Sequence, residues 1–177
     1  MSTKLLLSAL FPDAPFFGGR TGGIQGFPLR HVFMVETIHK LAQTSPRLKM
    51  LEVGSWTGSS VLTWSQAIAE FCPGGGSILC VDPWTPYFDV KDETSDGHYH
   101  NMNILSDLDL SYNLFLHNIK FAAKGVKVSH FRGTSTDVLP FLTEDGFDLV
   151  YLDGSHYLDD VRFDLAEADR LLKDGGI

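Results

Sequence analysis

Residues 49–71 read KMLEVGSWTGSSVLTWSQAIAEF, and this stretch decides the fold. A short apolar run, Met50, Leu51 and Val53 around Glu52, stops at Gly54; Val61, Leu62, Trp64, Ala67, Ile68 and Phe71 then recur at helical spacing. The order is strand, glycine turn, helix. Downstream, Pro73 and Gly74 to Gly76 break the helix, Ile78 to Val81 form a second buried-type strand, and Asp82 with Pro83 ends it. Upstream, Pro28 suits a first helical position, and Met34, Val35, Ile38, Leu41 and Ala42 keep the helical period until Ser45 and Pro46. Before Pro28 the chain is rich in Gly, Pro and Phe and reads as an irregular arm, of the kind that can cover a pocket.

Residues 83–107 are polar and aperiodic and read as a long loop, followed by a helix over 108–123 that Gly125 stops. Val126, Val128 and Phe131 mark a third strand, Ser135 can cap a short helix through Phe141, and residues 147–152 (FDLVYL) form a fourth. Leu158, Val161, Leu165, Ala168 and Leu172 repeat at intervals of three and four, with Asp159 and Asp160 in the first turn, Arg170 and Lys173 in the last and Gly175 as stop. Short apolar strands alternating with helices predict an α/β domain: a doubly wound, Rossmann-like parallel sheet with helices on both faces.

The chain has 177 residues, which is one domain's worth, and 44% hydrophobic with 20% charged residues is ordinary for a folded protein. Lys plus Arg total 14 against 22 Asp plus Glu, a net charge of −8, the wrong sign for holding nucleic-acid phosphates or anionic lipid. A small-molecule partner is expected. The early run Leu5 to Leu7 with Ala9 to Phe11 is broken by Ser8 and does not read as a signal peptide, and no stretch approaches the roughly 18 consecutive apolar residues of a membrane span. Cys72 and Cys80 form no metal or disulfide spacing, so reduced thiols and a cytoplasmic location are expected.

Ligands of such sheets bind beyond the carboxyl ends of the strands, so the residues after each strand carry the chemistry. After strand one, Gly54 permits a sharp turn and Gly58 opens a helix whose free N–H groups face that turn; the spacing is neither that of dinucleotide enzymes nor a Walker loop. Asp82 at the tip of strand two suits a ribose diol or simply initiates the turn before Pro83. Asp153 and His156 follow strand four and bring a carboxylate and an imidazole to the same edge, as chemistry or as caps for the last helix. His98 and His100 read as solvated loop residues.

Four blocks, MLEVGSWTGSS (50–60), VDPW (81–84), GTSTDVLPFL (133–142) and residues 147–177, together resemble class I S-adenosylmethionine-dependent methyltransferases. Within that family they are most similar to bacterial small-molecule O-methyltransferases related to catechol O-methyltransferase. The resemblance implies S-adenosylmethionine as cofactor and methyl transfer to a hydroxyl of a small acceptor. It places Gly54, Ser55 and Gly58 in the turn under the methionine portion, Ser60 at its carboxylate and Glu52 at the acidic start of the motif. It makes Asp82 the ribose ligand, Trp84 an adenine contact, and Ser135 with Thr136 the adenine-side loop. Asp153 takes the place of a metal-ligand aspartate of the cation-dependent members and His156 that of their general base.

In those members the other metal ligands follow strand five, and the sequence stops at Gly175 Gly176 Ile177, where that strand would begin. A magnesium-type cation needs several oxygen ligands, more than Asp153 provides. The sheet is therefore expected to be C-terminally incomplete against the family's seven strands, and strand four to lack a neighbour, leaving an edge through which copies could associate. Two other readings stay open: transfer of a different group from an adenosyl-sulfonium donor, and a cofactor-binding remnant without catalysis.

Overall fold

The structure is a computed structural model that describes residues 9–17, 27–89, 91 and 97–177. Helix α1, Pro28–Leu41, starts on a proline after extended Phe27 and buries Met34, Ile38 and Leu41. Strand β1, Leu48–Val53, is buried on both faces apart from Lys49, as a central parallel strand must be. Helix α2 covers Ser59–Phe71 and β2 covers Gly76–Asp82. Helices α3 (His98–Asp107) and α4 (Leu110–Asn118) follow, and a 3-10 turn, Ile119–Phe121, leads to β3, Val126–Arg132. A short helix α5 (Ser135–Val138), β4 (Leu149–Leu152) and α6 (Leu158–Leu171) complete the order.

The sheet is parallel throughout, in the order β3-β2-β1-β4. From β1 the chain winds outward through β2 to β3 and then crosses back to lay β4 on the other flank of β1. That reversal is the switch point at which open α/β sheets bind ligands. Ile38, Trp64, Ile78 and Phe115 fill the core on one face of the sheet; Leu51, Val81, Phe147 and Leu171 fill it on the other. No helix among the described residues is long and apolar enough to cross a membrane.

Several expectations need correction. Residues 98–107 are helical rather than loop, so His100 and the backbone of His98 stand on the first turn of α3. This helix has little apolar periodicity, and tertiary contacts hold it: Tyr99 stacks on Phe88 with centroids 4.4 Å apart, and Asn103 Nδ2 donates to Phe88 O at 2.8 Å. The helix expected over 108–123 begins only at Leu110, after Asp109 takes a left-handed conformation, and its α-helical part ends at Asn118. Thr134, not Ser135, caps α5, its hydroxyl accepting the Asp137 N–H at 3.2 Å.

The outer flank of β4 has a partner over part of its length. Val150 N–H donates to Ile177 O at 2.8 Å and Ile177 N–H donates to Asp148 O at 3.1 Å. Of the N-terminal arm, Gly18, Gly19, Gly22, Gly23 and Gly26 lie outside the described residues, as do the early run Leu5 to Leu7 and the loop residues Asp92, Glu93 and Asp96. The described part, 9–17, borders α4 instead of the cavity at the strand tips. Buried Asn118 binds it in the manner of a neighbouring strand, accepting Phe16 N–H at 2.7 Å and donating Nδ2 to Phe16 O at 3.1 Å and to Thr57 O at 2.8 Å.

Asn118→Ala would orphan these groups of Phe16 and Thr57. It is expected to cost about 2–3 kcal/mol in urea unfolding, and to expose residues 9–17 to limited proteolysis before the rest of the chain.

Candidate cofactor and active site

At the carboxyl ends of all the strands lies a cavity of about 410 Å³, the size of a small-molecule site. Gly54 borders it after β1, Asp82 to Trp84 after β2, Thr134 to Thr136 after β3, and Asp153 to His156 after β4. Tyr87, Phe88, Tyr99 and Met102 form an aromatic and apolar wall opposite.

The turn after β1 depends on two glycines. Gly54 has φ +88°, and a β-carbon there would lie 2.2 Å from the Asp153 carbonyl oxygen, so the tips of β1 and β4 meet backbone to backbone. Gly58, φ +86°, is the left-handed residue at the N-cap of α2, and its N–H donates to Ser55 O at 2.8 Å to close the turn. Behind it Glu52, Ser55, Gly58 and Ser60 are buried and do not border the cavity. Both Glu52 carboxyl oxygens lack a hydrogen-bond partner among the described residues, as does Ser55 Oγ. Burial pushes the Glu52 carboxyl up to about 7, against the opposing influence of the nearby Ser60 and Ser55 hydroxyls.

Asp82 joins two turns. Its Oδ2 accepts Trp56 N–H at 2.9 Å and its Oδ1 accepts Trp84 N–H at 2.7 Å, and both tryptophans have positive φ (45° and 47°), a strained backbone for bulky residues. Burial raises the Asp82 carboxyl to about 6, moderated by the N–H groups of Trp56 and Trp84. The Trp84 indole is buried, donating Nε1 to Trp56 O at 2.6 Å and lying 4.5 Å from the Phe115 ring centroid. Its ring therefore packs in the core, although the residue also borders the cavity.

At the tip of β4 the Asp153 carboxylate is paired with Arg30 from the first turn of α1, and that guanidinium lies 5.6 Å from the Tyr151 ring centroid. Burial raises the Asp153 pKa and Arg30 opposes the shift. His156 is exposed on the cavity wall. Tyr87 donates its hydroxyl to Gly154 O at 3.2 Å, and Tyr157 Oη accepts Asp89 N–H at 2.9 Å, so residues 83–89 are tied across the rim to the loop carrying His156.

Asp82, Asp153 and Asp160 face the cavity with Arg30 as its Lys or Arg cation, an acidic balance that favours a cationic ligand. No group of three or more His, Cys, Asp or Glu suited to a metal ion occurs among the described residues, and Arg30 already meets the charge of Asp153. The described residues at the cavity do not fit a divalent cation.

The fold thus brings Gly54, Asp82, Trp84, Ser135, Thr136, Asp153 and His156 to one cavity and leaves Glu52, Ser55, Gly58 and Ser60 behind its turn. His100 does not border it, and the side chain of His98 lies outside the described residues. Sequence reasoning missed Arg30 and Tyr87, which no motif marks; Trp56 lay within the quoted glycine turn and was passed over.

A buried acid with a raised pKa binds its proton more tightly folded than unfolded, so it costs stability as pH climbs from the unfolded value toward the folded one and beyond. For Glu52 that window runs from 4.5 to about 7. Glu52→Gln is expected to stabilise the protein at pH 8 by on the order of 2–3 kcal/mol, a gain that vanishes toward pH 4. Denaturant unfolding at the two pH values checks it; equal stability at pH 8 would mean that the carboxyl is not buried in its charged form.

Residues 51–177 match a family described as a methyltransferase domain. No curated protein matches the chain at a significant level. Among solved structures, SAH-bound Podospora anserina methyltransferase PaMTH1 is similar with a TM-score of 0.50 and 19% identity, over 99% of this chain and 60% of that one. Cofactor-bound Rv0187 from MTB has a TM-score of 0.48 and 18% identity, over 96% of this chain and 59% of that one. The chain spans between 43% and 66% of the length of the solved structures of this group. At 19% identity the likeness to PaMTH1 shows the fold alone, and the family follows from the sequence match over most of the chain: this protein belongs to the methyltransferase domain family.

Proposed function

We propose that this protein transfers a methyl group from S-adenosylmethionine to a hydroxyl of a small molecule. The observation that carries the reading is Asp82, a carboxylate at the tip of β2 that borders an acidic cavity beside the Gly54 turn. Each of its oxygens accepts one backbone N–H and keeps lone-pair capacity for a ribose diol. Bound S-adenosylmethionine would supply a methyl carbon on a sulfonium whose thioether is a good leaving group. The carboxylates of Asp82 and Asp160 favour that cationic ligand, and the Gly54 turn, which borders the cavity, suits its amino-acid end. Ser135 and Thr136 stand on the adenine side.

On the acceptor side, His156 takes the hydroxyl proton, and Asp153, held by Arg30, provides the negative charge beside the imidazole. The wall of Tyr87, Phe88, Tyr99 and Met102 keeps water from the transferring group and suits a small acceptor with an apolar body. The resemblance of the four sequence blocks to relatives of catechol O-methyltransferase supports oxygen as the accepting atom. The net charge of −8 argues against nucleic acid, and the free, buried Cys72 and Cys80 suit a reducing cytoplasm.

Asp82→Ala is expected to weaken S-adenosylhomocysteine binding about ten- to a hundredfold by calorimetry, because the ribose loses a charged acceptor. With a carboxyl that titrates at about 6, the intact protein should bind more weakly as the pH falls through that value, and Asp82→Asn should flatten the dependence. Affinity unchanged in Asp82→Ala would remove Asp82 from the site.

His156→Ala is expected to lower labelled methyl transfer to a hydroxyl acceptor by about 10²–10⁴-fold while S-adenosylhomocysteine still binds. EDTA should leave the rate of the intact protein unchanged. If EDTA abolishes transfer and His156→Ala keeps it, a metal at Asp153 replaces the imidazole; binding without transfer to any acceptor would identify a cofactor-binding remnant.

A further inference from the structure

At the other end of the sheet, beside the first residues of the strands, a groove of about 320 Å³ opens on the face opposite the Trp64 core. Lys49 of β1 pairs in register with Ser77 of β2, and Ser77 pairs with Lys127 of β3. Residues in register across a parallel sheet point to the same face, so the two lysines flank one serine across two strand spacings, about 10 Å between their Cα atoms. Their stems are long enough to bring both ammonium groups over Ser77.

The surroundings suit an anion. Ser129 and Thr143 add hydroxyl donors, and none of the lining residues is acidic, in a chain with 22 acidic and 14 basic residues. Asp148, whose carboxylate contacts Lys49 through the backbone, is already engaged: Oδ1 accepts from Lys173 Nζ at 2.8 Å and Oδ2 from Lys49 N–H at 2.7 Å. Lys49 Nζ lies 4.9 Å from the Phe147 ring centroid, and neither Lys49 nor Lys127 makes an ion pair among the described residues. A lysine on an edge strand commonly blocks edge-to-edge pairing, which would account for Lys127; Lys49 stands on an interior strand, where that purpose does not exist.

The groove is also apolar. Leu79 on its floor is only partly covered although β2 is an interior strand, and Phe141 borders it with 86% of its surface exposed. We propose that this groove is a second binding site, for a small organic phosphate whose charged group sits on Ser77 between Lys49 and Lys127 and whose apolar part covers Leu79 and Phe141. Two ammonium groups match a phosphate monoester dianion, and converging hydroxyls suit its several oxygens. The volume suits a small molecule, and the net negative charge of the chain disfavours a polyanion or an anionic membrane.

The site is independent of the methyltransferase reading and is tested by titrating phenyl phosphate into the protein at low ionic strength, with amide chemical shifts as readout. Ser77, Leu79 and Ser129 should move, inorganic phosphate should bind more weakly, and saturating S-adenosylhomocysteine should leave phenyl phosphate binding unchanged. Lys127→Gln, on an exposed edge where the fold does not depend on it, should weaken binding about tenfold, and Lys49→Gln likewise. Absence of binding, equal affinity for inorganic phosphate, full affinity in Lys127→Gln, or displacement by S-adenosylhomocysteine would each overturn the proposal.

Discussion

The site rests on a contact between two pieces of backbone. The Asp153 carbonyl at the tip of β4 occupies the space where any side chain on residue 54 would begin, so the turn after β1 can close against β4 only through glycine. That approach lets Asp153 N–H donate to Val53 O at 2.8 Å while Gly54 N–H donates to Val81 O at 2.9 Å, and the tips of three strands are locked at one level. Asp82, Asp153 and His156 consequently open on the same cavity. Interiors are packed too tightly for a methyl group to be absorbed there without moving one tip against another.

The two buried acids near that contact behave differently. Asp82 offsets part of its desolvation by accepting the N–H groups of Trp56 and Trp84, and in doing so stabilises two left-handed tryptophans. Its charge thus holds the walls of the cavity as well as facing it. Glu52, enclosed behind the turn, is offset only in part by the nearby Ser60 and Ser55 hydroxyls, and its charge is a net cost near neutral pH. Functional sites often retain such locally unfavourable groups while the rest of the fold offsets them.

Residues distant in sequence shape the acceptor side. Arg30 arrives from α1 to neutralise Asp153, and Tyr87 and Tyr157 fasten the connection after β2 to the loop after β4. The cavity therefore has a floor built by the sheet and a rim built by the connections between its strands. Because Arg30 offsets the charge of Asp153, the acidic balance around the cavity lies on the side of Asp82 and Asp160.

The alternation of short apolar runs with amphipathic helices determined by itself the parallel α/β sheet, because backbone hydrogen bonding and burial on both faces leave few other arrangements for such a pattern. It also placed Gly54, Asp82, Asp153 and His156 at strand tips, since a residue just after an apolar strand has nowhere else to be. What only the tertiary structure decided lay between the strands. Helix α3 carries almost no period and forms where Asn103 and Tyr99 bind Phe88, in a stretch that reads as loop; the left-handed Asp109 separates it from α4, whose start it delays to Leu110. The ion pair of Arg30 with Asp153, the withdrawal of the Trp84 ring into the core and the row of Lys49, Ser77 and Lys127 join residues far apart in the chain. Local pattern records the preference of each segment for water or core; the register of one segment against another is set by packing, and no single segment contains it.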